Sequence, residues 1–152
     1  MLDNEVHLKR LLKDLFRAQL FASLATLQGG KPYNNLIAYC VTDDLKSMLF
    51  ITRRDTRKYT NLVSNNNVSV LIDSRSNQGS DLRNAMAVTA IGSAEELSDS
   101  RKRQEMLDLY LIKHHDLEKF AHSPESALFI VMVRQYIIVR NFQEVLVLKM
   151  EG

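Results

Sequence analysis

The chain predicts a mainly β, α+β domain: an antiparallel barrel of six to seven strands, closed or split, with flanking helices. Short apolar runs recur with tight-turn residues between them, the pattern of antiparallel strands. Only three segments have helical periodicity, too few and too unevenly spaced for alternating βαβ units and a parallel sheet. The 152 residues hold no internal repeat, linker or low-complexity stretch, so residues 1–152 read as one domain.

Leu8, Leu11, Leu12, Leu15 and Phe16 recur at three- and four-residue steps, which predicts an amphipathic helix over about 3–19. Phe21 to Leu27 reads as a small-residue strand, and Gly29-Gly30 supplies the positive φ angles of a hairpin turn. A second strand follows over about 33–42, turning at Thr42-Asp43-Asp44, and a third over about 47–53. Tyr59, Leu62 and Val63 share one face of a helix over 55–65, capped by Asp55 or Thr56. Asn65-Asn66-Asn67 stops that helix and leads into a strand at 68–72. Polar residues 73–84 read as a loop. Ala85 to Leu97 returns to strand, with Gly92 as a bulge or close approach. Ser98 or Asp99 caps a helix of about 100–121 with Met106, Leu109, Tyr110, Leu117 and Phe120 inward, stopped by Ser123-Pro124. Strands over 127–140 and 144–149 complete the order.

Hydrophobic residues make up 45% and charged residues 25%, an ordinary globular balance. A net charge of +2 argues for no polyanion partner, so any phosphate affinity must come from local clustering. The single cysteine, Cys40, lies in an apolar run and reads as a packed thiol. No run approaches the roughly 18–20 apolar residues of a membrane helix. The opening Met-Leu-Asp-Asn-Glu-Val-His is polar and acidic, unlike a secretion signal, which sets a cytoplasmic expectation.

Chemistry concentrates at the third strand's end. Arg53, Arg54, Arg57 and Lys58 crowd the start of the following helix, with Asp55 the sole local countercharge. A helix N-terminus carries about half a positive elementary charge, so Arg57 and Lys58 are misplaced there by a few tenths of a kcal/mol each. A bound phosphate reverses that sign, because free amides and cationic side chains converge on one anion. Spacing alone admits two readings, a solvated basic turn and an anion site. Gly-x-Ser-x-Gly, Gly-x-Gly-x-x-Gly and P-loop patterns are absent, which removes serine hydrolase, Rossmann and NTPase readings. Arg101-Lys102-Arg103 is balanced by Glu95, Glu96, Asp99 and Glu105 and reads as a solvated helix face, so no nucleic-acid partner is expected. His114-His115 cannot grip one metal as an i, i+4 pair could, and is expected to face solvent, so no metal site is assigned.

Taken in order, Leu24-Ala25-Thr26-Leu27, Gly30-Lys31-Pro32-Tyr33, Leu49-Phe50-Ile51-Thr52 to Thr56-Arg57-Lys58, Asn61-Leu62 to Val68-Ser69-Val70-Leu71-Ile72, and Ala87 to Glu95 with Gly92 inside it resemble the pyridoxamine-phosphate oxidase-like family of FMN-binding split barrels. The resemblance covers most of the chain. It implies a homodimer with FMN at the interface, and oxidoreductase chemistry between a small-molecule electron donor and an acceptor. It maps Thr52, Arg57 and Lys58 onto phosphate contacts, with Arg53 as an extra contact and Arg54 toward solvent. The family's second strand lines the flavin ring, which here is Asn34, Asn35, Leu36 and Ile37; the two asparagines also read as ordinary strand-entry residues.

The chain departs from the oxidase proper at two places. It has no Trp and ends Glu144-Val145-Leu146-Val147-Leu148-Lys149-Met150-Glu151-Gly152, without the signature that holds the pyridoxal substrate, so oxidation of vitamin B6 is not implied. Ala87 stands where the oxidase offers the flavin a glutamine, and the loop Asp73 to Gln78 is either a substitute or a plain surface loop. No side chain is assigned as catalytic acid or base. Two alternatives stand beside the enzyme: a non-enzymatic flavin carrier or sensor, and a haem-binding protein on the same fold with His114 or His115 as axial ligand.

Overall fold

A computed structural model of the chain describes residues 2–151, with side chains from Asn4 onward. The elements are α1 (Leu2–Ala18), β1 (Phe21–Gln28), β2 (Lys31–Val41), β3 (Ser47–Arg53), α2 (Arg57–Ser64), β4 (Asn67–Asp73), α3 (Asp81–Asn84), β5 (Ala87–Glu96), α4 (Ser100–Lys113), a 3-10 turn (His115–Leu117), α5 (Glu118–His122), β6 (Ser126–Arg140) and β7 (Glu144–Lys149). The strands run antiparallel in the order β3-β2-β1-β4-β5-β6-β7, and a further β3–β6 pairing closes six of them into a barrel with β7 added outside. The expected α+β barrel with flanking helices is the observed fold.

Two positions decide the barrel's shape. The β1–β2 turn places Gly29 and Gly30 at φ of +55° and +78°, the left-handed conformations a tight hairpin demands. Between Ile91 and Gly92 the register slips past Arg134, so the bulge lies on β6, and Gly92 on β5 is the point of close approach. Gly92 is required there: a β-carbon would stand 2.9 Å from the carbonyl carbon of Met132 and closer still to its oxygen.

β6 is 15 residues long because its two halves serve different neighbours. Ser126–Met132 pairs with the whole of β3, whereas Gln135–Arg140 pairs with β7. By contrast β3 meets β2 only where Met48, Leu49 and Phe50 face Val41, Cys40 and Tyr39. Beyond Tyr39 the two strands part, and the barrel opens into a mouth between them.

Alternation along each strand fills the interior. Leu24, Val70, Val88, Ala90, Tyr136 and Ile138 face inward, and α1 seals the barrel with Leu12, Leu15 and Phe16. A second, smaller core lies outside the barrel wall, where α4 and α5 cover Cys40, Leu49, Ile51, Leu128 and Ile130 with Leu107, Tyr110 and Ala121. β3 is therefore buried on both faces up to Thr52. Cys40 is packed as expected, and burial pushes its thiol up to about 12.

Several expectations are corrected. The helix over 100–121 is broken: α4 ends at Lys113, whose Nζ donates to the carbonyls of Phe16 at 2.7 Å and Gln19 at 2.9 Å. That bond draws the chain down onto the end of α1, and His114 leaves helical geometry at φ −120°, ψ 56°. His114 is consequently buried rather than solvent-facing, while His115 is exposed. Leu107 joins Tyr110 as the buried stripe of α4, and Met106, Leu109, Leu117 and Phe120 are only partly covered. Val63 points away from the core, because the α2 residues that pack inward are Asn61 and Leu62, with Tyr59 at the margin. Residues 73–84 hold the short helix α3 inside the expected loop.

The outer face of the sheet carries a register row across six strands: Leu36, Ser23, Leu71, Thr89, Ile137 and Val147. Leu36 is 70% exposed, and Phe21, Leu71, Val145 and Val147 are also exposed on that side. No helix covers it. No described helix is long and apolar enough to cross a membrane.

Gly92→Ala is expected to lower stability by about 1–3 kcal/mol through overpacking against the β6 backbone, read as a fall in the urea midpoint.

Candidate functional site

The basic junction is built by one hydroxyl. Thr56 Oγ1 accepts from the Tyr59 amide at 3.2 Å, which makes Thr56 the N-cap of α2, and donates to the Arg53 carbonyl at 2.8 Å. Its one proton is thereby used, so the 3.1 Å contact with Thr52 must have Thr52 as donor. Thr52 is buried at the end of β3 and ties that strand to the start of the helix. Arg57 and Lys58 follow as the first helical residues, with no acidic side chain in that turn.

The four cations divide into two pairs. Arg53 meets both oxygens of Asp55, at 3.1 and 3.2 Å, and Glu125 at 2.6 Å. Arg54 pairs with Glu96 and donates at 2.9 Å to the carbonyls of Pro124 and Ser126, so it is held in place while its side chain stays 40% exposed. Among the described residues, neither Arg57 nor Lys58 has a carboxylate within ion-pairing distance. The Arg57 guanidinium instead sits 5.5 Å from the ring centre of Tyr33, across the mouth on β2. Lys58 is half-buried, and loss of water lowers its pKa because no anion compensates the ammonium.

The four β2 residues separate by strand alternation. Asn34 and Leu36 lie on the outer face, in register with Ala25 and Ser23. Asn35 and Ile37 face inward, in register with Leu24 and Ala22. The Asn35 Oδ1 atom is buried with no hydrogen-bond partner among the described residues. A buried amide oxygen left unpaired costs on the order of 1–3 kcal/mol, so this side chain is short of a donor. Near the same end of the barrel, Asn61 Nδ2 donates to the buried Thr26 Oγ1 at 3.0 Å and fixes α2 to β1.

Sequence reasoning missed Tyr33, Thr26, Asn61, Tyr59 and Glu96 as members of this neighbourhood. Asn61 carried a signal, being polar beside Leu62 on the covered side of a short helix. Glu96 carried none, since its partners are 37 and 42 residues away. The loop after β4 is turned on itself: Asp81 accepts from the amides of Ser76 at 2.8 Å and Asn77 at 2.7 Å, and Arg75 pairs with Asp73 at 3.0 Å. Ala87 lies in register with Asp73 and offers no polar group. Among the described residues no cluster of three or more His, Cys, Asp or Glu could hold a metal ion. His114 Nε2 donates to the Tyr39 carbonyl at 2.7 Å, and its ring packs 4.8 Å from that of Tyr110, so its outward-facing role is taken away.

A barrel parted between two strands, with a cationic helix start at the opening, defines a split-barrel protein. The family model for pyridoxamine 5'-phosphate oxidase matches residues 8–140, and the chain belongs to that family. No curated protein matches the chain. Among solved structures, a heme binding protein from Mycobacterium smegmatis superposes with a TM-score of 0.76 at 16% identity, over 89% of this chain and 55% of that one. HutZ, the heme storage protein from Vibrio cholerae, gives 0.71 at 14% identity over 92% of each chain. A FAD-binding protein from Mesorhizobium loti gives 0.66 at 22% identity, over 84% of this chain and 88% of its own. At these identities the likeness is one of fold, and the chain spans only 55–60% of three of the structures it resembles.

His114 generates a pH prediction. Burial, assisted by Lys113 and opposed by the bond to Tyr39, holds its imidazole below the ordinary 6.5. As pH falls through that value the unfolded chain takes up a proton that the folded one refuses, so stability declines on acidification. Between about pH 7.5 and 5.5 the urea midpoint is expected to fall, and His114→Gln to flatten that slope.

Proposed function

We propose that this chain binds FMN at the barrel mouth and acts as a flavin-dependent oxidoreductase on a small molecule, passing electrons between a small donor and a small acceptor. One observation carries the reading: of four clustered cations, the two on the first turn of α2 have no carboxylate, and one of these is half-buried. Arg57 and Lys58, with the first free amides of α2, would hold the phosphate, and Thr52, which gives its one proton to Thr56, would contact it only by turning that proton from Thr56 to the anion. Arg53, its charge already matched by Asp55 and Glu125, would brace the turn more than bind. Asn34 and Leu36 would meet the ring with their side chains on the outer face, whereas Asn35 and Ile37, turned inward, would contribute through the strand's backbone groups. Bound flavin supplies the redox chemistry, while the chain anchors, shapes and shields it.

The same reading takes the protein as a homodimer. An exposed, largely apolar face is costly in water, and the row from Leu36 through Leu71 and Ile137 to Val147, interrupted by Ser23 and Thr89, offers a surface for a second copy. Leu36 and Asn34 lie on it, which would bring the flavin site to the interface. Haem binding is a second reading, favoured by the haem proteins from Mycobacterium smegmatis and Vibrio cholerae among its fold relatives. Of the two histidines considered for it, only His115 is exposed.

The purified protein is expected to absorb at about 450 nm, the flavin band, and to oxidise a reduced nicotinamide; flavin without turnover would mark a carrier or sensor. A band at about 400 nm lost in His115→Ala would mark haem instead. Arg57→Ala with Lys58→Ala should weaken FMN binding by about 1.5–3 kcal/mol per lost charge-assisted bond, and retention of parental affinity would remove the phosphate assignment. Leu71→Lys with Val147→Lys should convert a dimer to monomers in light scattering and lower flavin content in parallel.

A further inference from the structure

We infer that Glu96 is the positioning residue of the phosphate cradle, a clamp that sets Arg57 and Lys58 from both sides. Resting on the FMN reading, this names a device outside the cofactor's own contacts. Glu96 is the last residue of β5 and lies on neither α2 nor the turn before it. Its Oε2 takes the Arg54 guanidinium, and its Oε1 accepts from the Tyr59 hydroxyl at 2.9 Å. Arg57 and Lys58 lie in the four-residue interval between those two grips. One carboxylate therefore spans the tight turn and the first helical turn that contain the free cations.

Each grip has its own support. Arg54 also donates to the Pro124 and Ser126 carbonyls, so Glu96 acts on a side chain already docked at the start of β6. The Tyr59 ring packs edge-on against Phe129, 5.8 Å between centres, and Phe129 stacks on Phe50 at 5.4 Å. The hydroxyl needs an acceptor at the edge of that apolar seat, and Glu96 provides it. The Glu96 side chain is 27% exposed and that of Arg54 40%, so water can solvate Arg54 and the Tyr59 hydroxyl once Glu96 is gone, and what is lost is the fixed position that one carboxylate imposes on them. Glu96 also absorbs one positive charge, so the mouth presents two cations to a phosphate monoester rather than three.

FMN and riboflavin share the ring and differ at the phosphate, so their affinities separate cradle geometry from general damage. Both are titrated by flavin fluorescence quenching into the parent, Glu96→Ala and Tyr59→Phe, each stripped of flavin. In Glu96→Ala, FMN affinity is expected to fall on the order of tenfold while riboflavin affinity stays within about twofold. Tyr59→Phe, which deletes one oxygen and keeps the ring packing, should show a smaller loss of the same selectivity. FMN binding by Glu96→Ala as tight as the parent or tighter overturns the clamp. So does an equal loss of both flavins, which marks a purely structural role. A parent that binds FMN no better than riboflavin removes the phosphate site itself, and the clamp with it.

Discussion

The pairing of β3 decides everything at the working end of this molecule. Its seven residues hydrogen-bond to β6 from end to end, while only three of them meet β2. Had β2 and β3 stayed zipped, the barrel would be an uninterrupted wall. Separation instead sets the end of β3, the Thr52–Thr56 contact and the start of α2 opposite Tyr33 and Asn35 on the inner side of β2. The opening follows from backbone hydrogen bonding, and the residues that line it inherit their roles from which strand they end or enter.

Charge is then sorted rather than merely accumulated. Arginine's planar fork suits the bidentate and carbonyl contacts made by Arg53 and Arg54, which staple the turn to β5 and to the start of β6. These pairs are partly exposed, so each contributes little to global stability. Their effect is local: they consume the acids that would otherwise neutralise Arg57 and Lys58. A half-buried lysine with no carboxylate beside it among the described residues is an unfavourable arrangement for an isolated fold and a favourable one for a fold that receives an anion.

Much of the fold was legible because its signals are local. The Gly29-Gly30 turn rests on positive φ angles, Gly92 on the lack of a β-carbon against the Met132 backbone, and the strands on two-residue alternation. The Thr56 cap was one of two options in sequence, and both stand at the same helix start. The clustering of Arg57 and Lys58 was likewise visible. Illegible features depended on long-range partners. Arg54 reads as a solvent-facing side chain and stays exposed, but its partners, Glu96 and the Pro124 and Ser126 carbonyls, come from distant parts of the chain. His114 reads as exposed until Lys113 finds the end of α1. Asn34 through Ile37 reads as a single lining segment, but alternation deals its members to opposite sides of one strand.

Lys113 has a bearing on where this domain starts. Its ammonium rests 3.9 Å above the Tyr39 ring and is satisfied by two carbonyls from the first twenty residues. Deprived of them it would be a cation stranded over an aromatic wall, already eased down to about 8 by its burial. The leading helix is thus no detachable prologue to the barrel. It is the socket into which the distal half of the chain plugs.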